Sequence, residues 1–351
     1  MADWTRGMNR TYEFWRVNPA TWGDAERIDT ITDATIKRDM DLETLGSAAF
    51  TMDAWEGEMY VRTYLVTFQD GVRERWPLGT HLLIADSEDF DGAYGSSSVD
   101  AYTPLKELLD DMPPLGFTIA EGSTLDRAKQ LMELHGRMPV LPVEGGSPVT
   151  EAYTADPDSD TWLSLISGFL AKTDHRIELD TYGRALIAPM QDSRSMMPAF
   201  TFDDGNSSIM QPAVKVDSNM PEVPNVVEVV YSKDDAYLSC ELVNDAPGSI
   251  TSTASRGRVV RHRESSPELP DNPTQADVDD SARRLMREMG SATYEVTFTH
   301  GFVPDVAPGV AVRLNYSAMG LDVVAVIASQ TIRCTPSCQV ESVARFTREA
   351  A

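Results

Sequence analysis

At 351 residues and 42% hydrophobic, the chain can bury a substantial core. It exceeds the about 100 to 200 residues of one ordinary domain, so two or three domains are expected. Its 55 acidic residues against 30 basic ones give a formal net charge of −25, which repels phosphate backbones and anionic membrane surfaces and argues against sequence-specific DNA binding.

Three cysteines make no even framework, the N-terminus has no apolar stretch behind a basic start, and no window reaches about 18 uninterrupted apolar residues. A disulfide scaffold, secretion and a membrane anchor are therefore not expected, and synthesis in the cytosol is.

Ile31 to Asp53, rich in Thr, Ala and short apolar stretches, predicts one or two strands. From Tyr60 to Phe68 polar and bulky residues interleave, and the run ends in Gln69-Asp70-Gly71, where Asp-Gly supplies the positive φ of a tight hairpin. Leu78 to Ala85 is the returning strand. After Tyr102 the texture changes. Thr103-Pro104 is read as a cap and first position opening a short helix, Leu105 to Leu109, which Pro113-Pro114 ends. Ser123 or Thr124 caps a second helix with Leu125, Ala128, Leu131 and Met132 on one face and Gly136 at an αL stop. Residues 140–160, rich in Pro, Gly, Ser and Asp, read as a loop. Asp160 or Thr161 then caps a third helix, in which Trp162, Leu165, Ile166, Phe169 and Leu170 form an amphipathic face.

Beyond Pro198 alternation with period two returns around Val227 to Tyr231, Tyr294 to Thr299 and Val310 to Tyr316. Leu321 to Ile327 has no polar face after Asp322 and reads as a strand covered on both sides. One helix interrupts the strands, Gln275 to Met289, with Val278, Ala282, Leu285, Met286 and Met289 on a face and Gly290 closing it. The fold class expected is α+β, mainly β. Its parts are a β module over 1–101, a helix-rich domain over 102–198, and a second β module with one inserted helix over 199–351.

Most sequence signatures of catalysis are absent. There is no G-x-S-x-G elbow, no H-E-x-x-H, no phosphate-cradling G-x-x-x-x-G-K-[ST] and no G-x-G-x-x-G. His81, His135, His175, His262 and His300 are scattered, no two at the i, i+3 or i+4 spacing that puts both on one helix face, so no metal site is expected. Cys334 and Cys338 flank a turn and read as ordinary half-buried thiols. Asp110-Asp111, Asp203-Asp204 and Asp234-Asp235 could supply the two carboxylates of a glycosidase, but adjacent residues seldom stand across a cleft about 5 to 10 Å wide, and solvated surface charge is favoured. Tryptophans at 4, 15, 22, 55, 76 and 162 crowd the N-terminal half. Core packing accounts for most of them, with an adhesive surface as the alternative. One feature opposes the global charge: Arg256, Arg258, Arg261, His262 and Arg263 concentrate basic groups. They are a solvated strand end, a contact for carboxylates of a partner or a second subunit, because guanidinium forks suit bidentate carboxylate contact, or, as the least favoured reading, a contact for nucleic acid.

Ala199-Phe200-Thr201-Phe202-Asp203-Asp204-Gly205-Asn206-Ser207-Ser208-Ile209, followed by Pro221-Glu222-Val223-Pro224-Asn225-Val226-Val227-Glu228-Val229-Val230, resembles a segment common in the hub proteins of long-tailed bacteriophages and related injection machines. Its surroundings match in order: Asp180-Thr181-Tyr182-Gly183-Arg184-Ala185 to Pro189, then Arg256-Gly257-Arg258, a helix, and His300 to Pro308 leading into Gly309-Val310-Ala311-Val312-Arg313-Leu314. Ile36 to Asp53, Tyr60-Val61-Arg62 and Pro77-Leu78-Gly79-Thr80 are similar too. The resemblance spans nearly the whole chain, although its motifs are strand and turn patterns without catalytic residues.

That resemblance implies a structural protein and no cofactor. It implies two β-barrel modules of tail-tube type around a helix-rich domain, and a homotrimer whose six modules match a sixfold tube. The partners it implies are the tail tube or distal tail protein, the central spike or fibre and the tape measure protein, with the genome passing through an acidic lumen in the virion. Some relatives carry an inserted lysozyme or peptidase domain, and this chain shows none. A tail-associated cell-wall hydrolase and a host-binding adhesin are the alternatives.

Overall fold

The computed structural model describes residues 2–91, 94–143, 148–156, 159–190, 195–205, 208–233, 236–267, 269–270 and 272–348. It divides into two compact units: Met1–Ala213 with Phe298–Val343, and Val214–Thr297 with Ala344–Ala351. The pair Asp234-Asp235 and, in the hub-like segment, Asn206 and Ser207 lie outside the described residues.

The first unit opens with β1 (Asn9–Val17), β2 (Asp24–Ile28), β3 (Ile31–Asp39), β4 (Gly46–Met52), β5 (Met59–Gln69), β6 (Val72–Asp91) and β7 (Tyr94–Tyr102). They pair antiparallel in the order β3-β4-β7-β6-β5-β1-β2. The expected hairpin forms: Gln69 faces Val72 across a two-residue turn in which Asp70 and Gly71 have φ of 50° and 83°. Both left-handed positions match the twist of the flanking strands. The interleaving from Tyr60 to Phe68 does not make a half-solvated strand, because β5 is buried on both faces from Met59 to Thr67. Tyr60 belongs to one core and Val61 and Leu65 to another.

Next come α1 (Lys106–Asp110), β8 (Thr118–Ile119), β9 (Gly122–Ser123), α2 (Thr124–His135), β10 (Val149–Thr150), β11 (Tyr153–Thr154), α3 (Trp162–Ala171), β12 (His175–Leu179) and β13 (Ala185–Pro189). Ser123 caps α2 by accepting from Asp126 N, and Thr161 caps α3 in a capping box with Ser164. All five residues of the expected α3 face are buried, as are the four of α2. Two local expectations fail. The Thr103 hydroxyl donates to the Thr44 carbonyl instead of capping α1. Gly136 is extended (φ −117°, ψ 159°), its N–H already held by the Met132 carbonyl, so no left-handed stop is needed. The stretch 140–160 is not all loop either, since β10 pairs β9 and β11 pairs β8. The helical core also takes in Val17, Trp22 and Tyr60.

The chain continues through β14 (Phe200–Asp203) and β15 (Met210–Ser218) to β16 (Val226–Lys233), β17 (Ala236–Val243), α4 (Thr253–Arg256), β18 (Arg261–Glu264) and α5 (Gln275–Met289). It then runs through β19 (Ala292–Gly301), β20 (Ala311–Tyr316), β21 (Leu321–Arg333) and β22 (Gln339–Arg348). Within the first unit β21 pairs antiparallel with β20 and with β3, placing Ile332 opposite Ile36, and β14 pairs parallel with β20. N-terminal and C-terminal strands thus share one sheet and one core, where Phe50 and Val61 join Phe302, Ile332 and Val340. Among the described residues the pairing follows an open path and traces no closed barrel. The mainly β, α+β class stands. β21 is not covered on both sides throughout: Leu321, Ala325 and Ile327 are buried, while Val324 on the other face is 44% exposed.

The second unit contains a three-stranded sheet, β17-β16-β18, with α5 packed on one face through Val278 and Ala282 against Val227 and Val229. Thr274 and Asp277 make a capping box at the start of α5. Gly290 closes it because a Cβ there would lie 2.3 Å from the Met286 carbonyl oxygen. Leu285, Met286 and Met289 are only half-buried. No helix among the described residues is long and apolar enough to cross a membrane.

Candidate functional site

The basic cluster sits in the second unit, and alternation places it. On β16, Val227 and Val229 turn to the helix, which sends Glu228 to the opposite face. Glu228 is paired in register with Glu241 of β17 and Arg263 of β18. Two like charges side by side would repel. Arg261 bridges them, at 3.2 Å from Glu228 and 2.5 Å from Glu241, and Arg263 adds a contact of 2.8 Å to Glu228. The hydrogen bond from Arg263 holds the Glu228 carboxyl below the usual range, and the Glu241 bond raises Arg261.

Arg256 and Arg258 do a different job. Arg256 donates to the carbonyls of Val223 and Pro221, at 2.5 and 2.8 Å, and Arg258 donates to Pro221 at 2.8 Å. The fully buried Asn225 fixes this corner: its amide donates to Arg258 O at 2.9 Å and accepts from Val260 N at 2.8 Å. All four arginines therefore have partners within the chain. Arg263 keeps the most open side chain of the ion-paired two, 61% exposed against 40% for Arg261.

The described acidic pairs serve local structure. Asp110 pairs with Lys106, while Asp111 accepts from the Trp162 indole at 2.9 Å under a stacked His135. Asp203 holds the Gly205 N–H, and Asp204 accepts from Ser317 Oγ at 2.7 Å and Ala318 N at 3.1 Å, bonds that lower its pKa. Cys334 and Cys338 are free thiols packed in the sheet core, and burial pushes both pKa values up. Trp22 and Trp162 are core residues, and Trp4, Trp55 and Trp76 pack on the sheet core. Trp15 lies under the Arg75 guanidinium. Among the described residues no group of three or more His, Cys, Asp or Glu could hold a metal.

Sequence reasoning missed a highly connected polar group of the first unit. Arg62, 3% exposed in the middle of β5, donates to Asp24 at 2.7 Å, Thr80 Oγ1 at 2.9 Å, Trp22 O at 3.0 Å and Tyr182 O at 3.3 Å. The turn carrying Tyr182 joins β12 to β13 and packs so closely that a Cβ at Gly183 (φ 71°) would lie 2.7 Å from Thr80 Cβ. An arginine inside an otherwise bulky strand was the available signal, because a buried charge needs partners.

A scan against protein-family models finds no match, and a search of curated proteins finds none. Solved structures do match. A tail protein from Neisseria meningitidis MC58 superposes with a TM-score of 0.67 at 14% identity, over 96% of this chain and 97% of that one. The 43 kDa tail protein of prophage MuSo2 from Shewanella oneidensis gives 0.66 at 12% identity, over 95% and 98%. A chain of the Francisella PdpA-VgrG complex gives 0.60 at 7% identity, over 98% of this chain and 53% of that one. Over nearly its full length, this chain has the fold of these two tail proteins.

Proposed function

We propose that the chain is a structural protein of a phage or prophage tail, a baseplate hub at the tail tip, and not an enzyme. The observation that carries this reading is the likeness to two tail proteins, which covers nearly all of this chain and nearly all of each of those. In this reading residues 1–101 and 199–351 supply two tube-like β modules and 102–198 the helix-rich domain between them. Three copies set six modules against a sixfold tube or distal tail ring above, and present threefold symmetry to the spike or fibre below. The tape measure protein and the genome occupy the lumen. A trimer carries three times the chain's −25, and acidic groups facing the lumen would keep DNA from adhering. The exposed edge of the Arg256, Arg258, Arg261 and Arg263 cluster is the surface proposed to meet carboxylates of a partner or a neighbouring subunit.

Tails isolated from producing cells and labelled with antibody against this chain should carry it at the tip, and the purified protein should reach a trimer mass at high micromolar concentration. A strictly monomeric protein that is also absent from purified tails overturns the proposal.

A further inference from the structure

One cavity of the first unit contains a charge that its surroundings do not neutralise. It has a volume of about 150 Å³, and its wall includes Arg38, Leu45, Leu78, His81, Ile177 and Leu179. A space of that size holds a body as large as benzene. The carboxylates in the wall are already engaged. Glu178 accepts from Arg176 Nε and Nη2 at 2.9 and 2.6 Å, and Asp180 accepts from Arg184 Nε at 2.6 Å. Lys37 pairs with Asp39 at 2.9 Å.

Arg38 differs from these. Its Nε and Nη2 both donate to one carbonyl, Leu78 O, at 3.2 and 2.6 Å, and among the described residues it forms no ion pair. Burial pulls its pKa down only to about 10, so it stays charged at neutral pH. Beside it His81 is 3% exposed, and its Nδ1 has no hydrogen-bond partner. Burial, and then the Arg38 charge, pull His81 to about 3, so the ring is neutral at pH 7 and can offer one N–H without adding charge.

An uncompensated guanidinium, an unpartnered imidazole nitrogen and aliphatic walls select a ligand with one anionic end and one apolar end. A second charge would find only Lys37 and Arg176, which are already paired with Asp39 and Glu178, and a fully polar anion would leave Leu45, Leu78, Ile177 and Leu179 against water. We propose that this cavity binds a small monocarboxylate with a compact apolar body, its carboxylate on Arg38 and its apolar part among these four residues. The planar fork of Arg38 matches a carboxylate, and the N–H groups not used on Leu78 are available to it. The site is independent of the tail assignment.

The test uses the full chain with benzoate and its neutral counterpart, benzyl alcohol, in calorimetric titrations and thermal melts. Benzoate is expected to bind and raise the melting midpoint, and benzyl alcohol to bind about tenfold or more weakly. Tenfold corresponds to about 1.4 kcal/mol, just under the low end of the range for a hydrogen bond to a charged group. Arg38→Met should bring benzoate down to the level of benzyl alcohol, and Arg38→Lys should recover part of the loss. Leu179→Trp, which fills the space from the apolar side, should abolish both. If Arg38→Met does not fold, the benzyl alcohol comparison and Leu179→Trp carry the test. No benzoate binding at millimolar concentration, equal binding of the two probes, or binding that survives Leu179→Trp overturns the proposal.

Discussion

Replacing Arg62 by methionine keeps the aliphatic stem in place and removes five donors from the centre of β5. The cost can be worked from what each partner has left. Asp24 loses its 2.7 Å ion pair, but it is 21% exposed, keeps the Tyr64 hydroxyl at 2.8 Å and has Arg75 at 3.6 Å. Tyr182 O keeps the Trp22 indole at 2.8 Å and Thr80 Oγ1 at 2.9 Å. Trp22 O loses its side-chain donor. Breaking a buried pair from one side costs about 3 to 5 kcal/mol. With the anion half-served by other donors, the low end applies, about 3 kcal/mol. Urea denaturation of Arg62→Met should show this as a lower midpoint at unchanged slope. Adding Asp24→Asn should recover part of it, since the stranded charge is then gone. A loss below about 1 kcal/mol for Arg62→Met alone, or no recovery in the double variant, would show that the node is ornamental to stability and refute the reasoning.

Phe169 is 1% exposed in the helical core, so Phe169→Ala should cost about 3 to 5 kcal/mol, and an unchanged melt would mean that the α3 face is not core at all. His300, 1% exposed and bonded to Ser342 Oγ at 2.8 Å, is pulled by burial to about 4, and His81 is pulled to about 3. Both depressed values mean that the unfolded chain takes up protons first. Stability should therefore fall as pH drops below about 6.5, by about 1.4 kcal/mol per pH unit for each histidine, and the 6.5 to 5 window precedes most carboxylate titration. His300→Gln should remove one share of that slope, and an unaltered slope contradicts the assignment. Converting Arg256, Arg258, Arg261 and Arg263 together to Gln should impair tail assembly, less so as salt rises, without changing DNA binding. Normal assembly with a lost DNA shift would reverse that reading.

Local signals carried far in this sequence. The Asp70-Gly71 turn, the Ser123 and Thr161 caps, the apolar faces of α2 and α3 and the whole span of α5 follow from side-chain chemistry within a few residues, which a single sequence displays. So does the concentration of arginines near residue 260. What the sequence could not display was partnership at long range. That β21 lies against β3, that β5 serves two cores at once, and that Glu228 and Glu241 are the ones to meet Arg261 depends on which strands become neighbours. Many acidic residues were equally eligible. The same holds for Arg62 and Arg38, one satisfied and one, among the described residues, left without an anion, because a buried charge is defined by groups brought from distant parts of the chain and only the closed tertiary structure selects them.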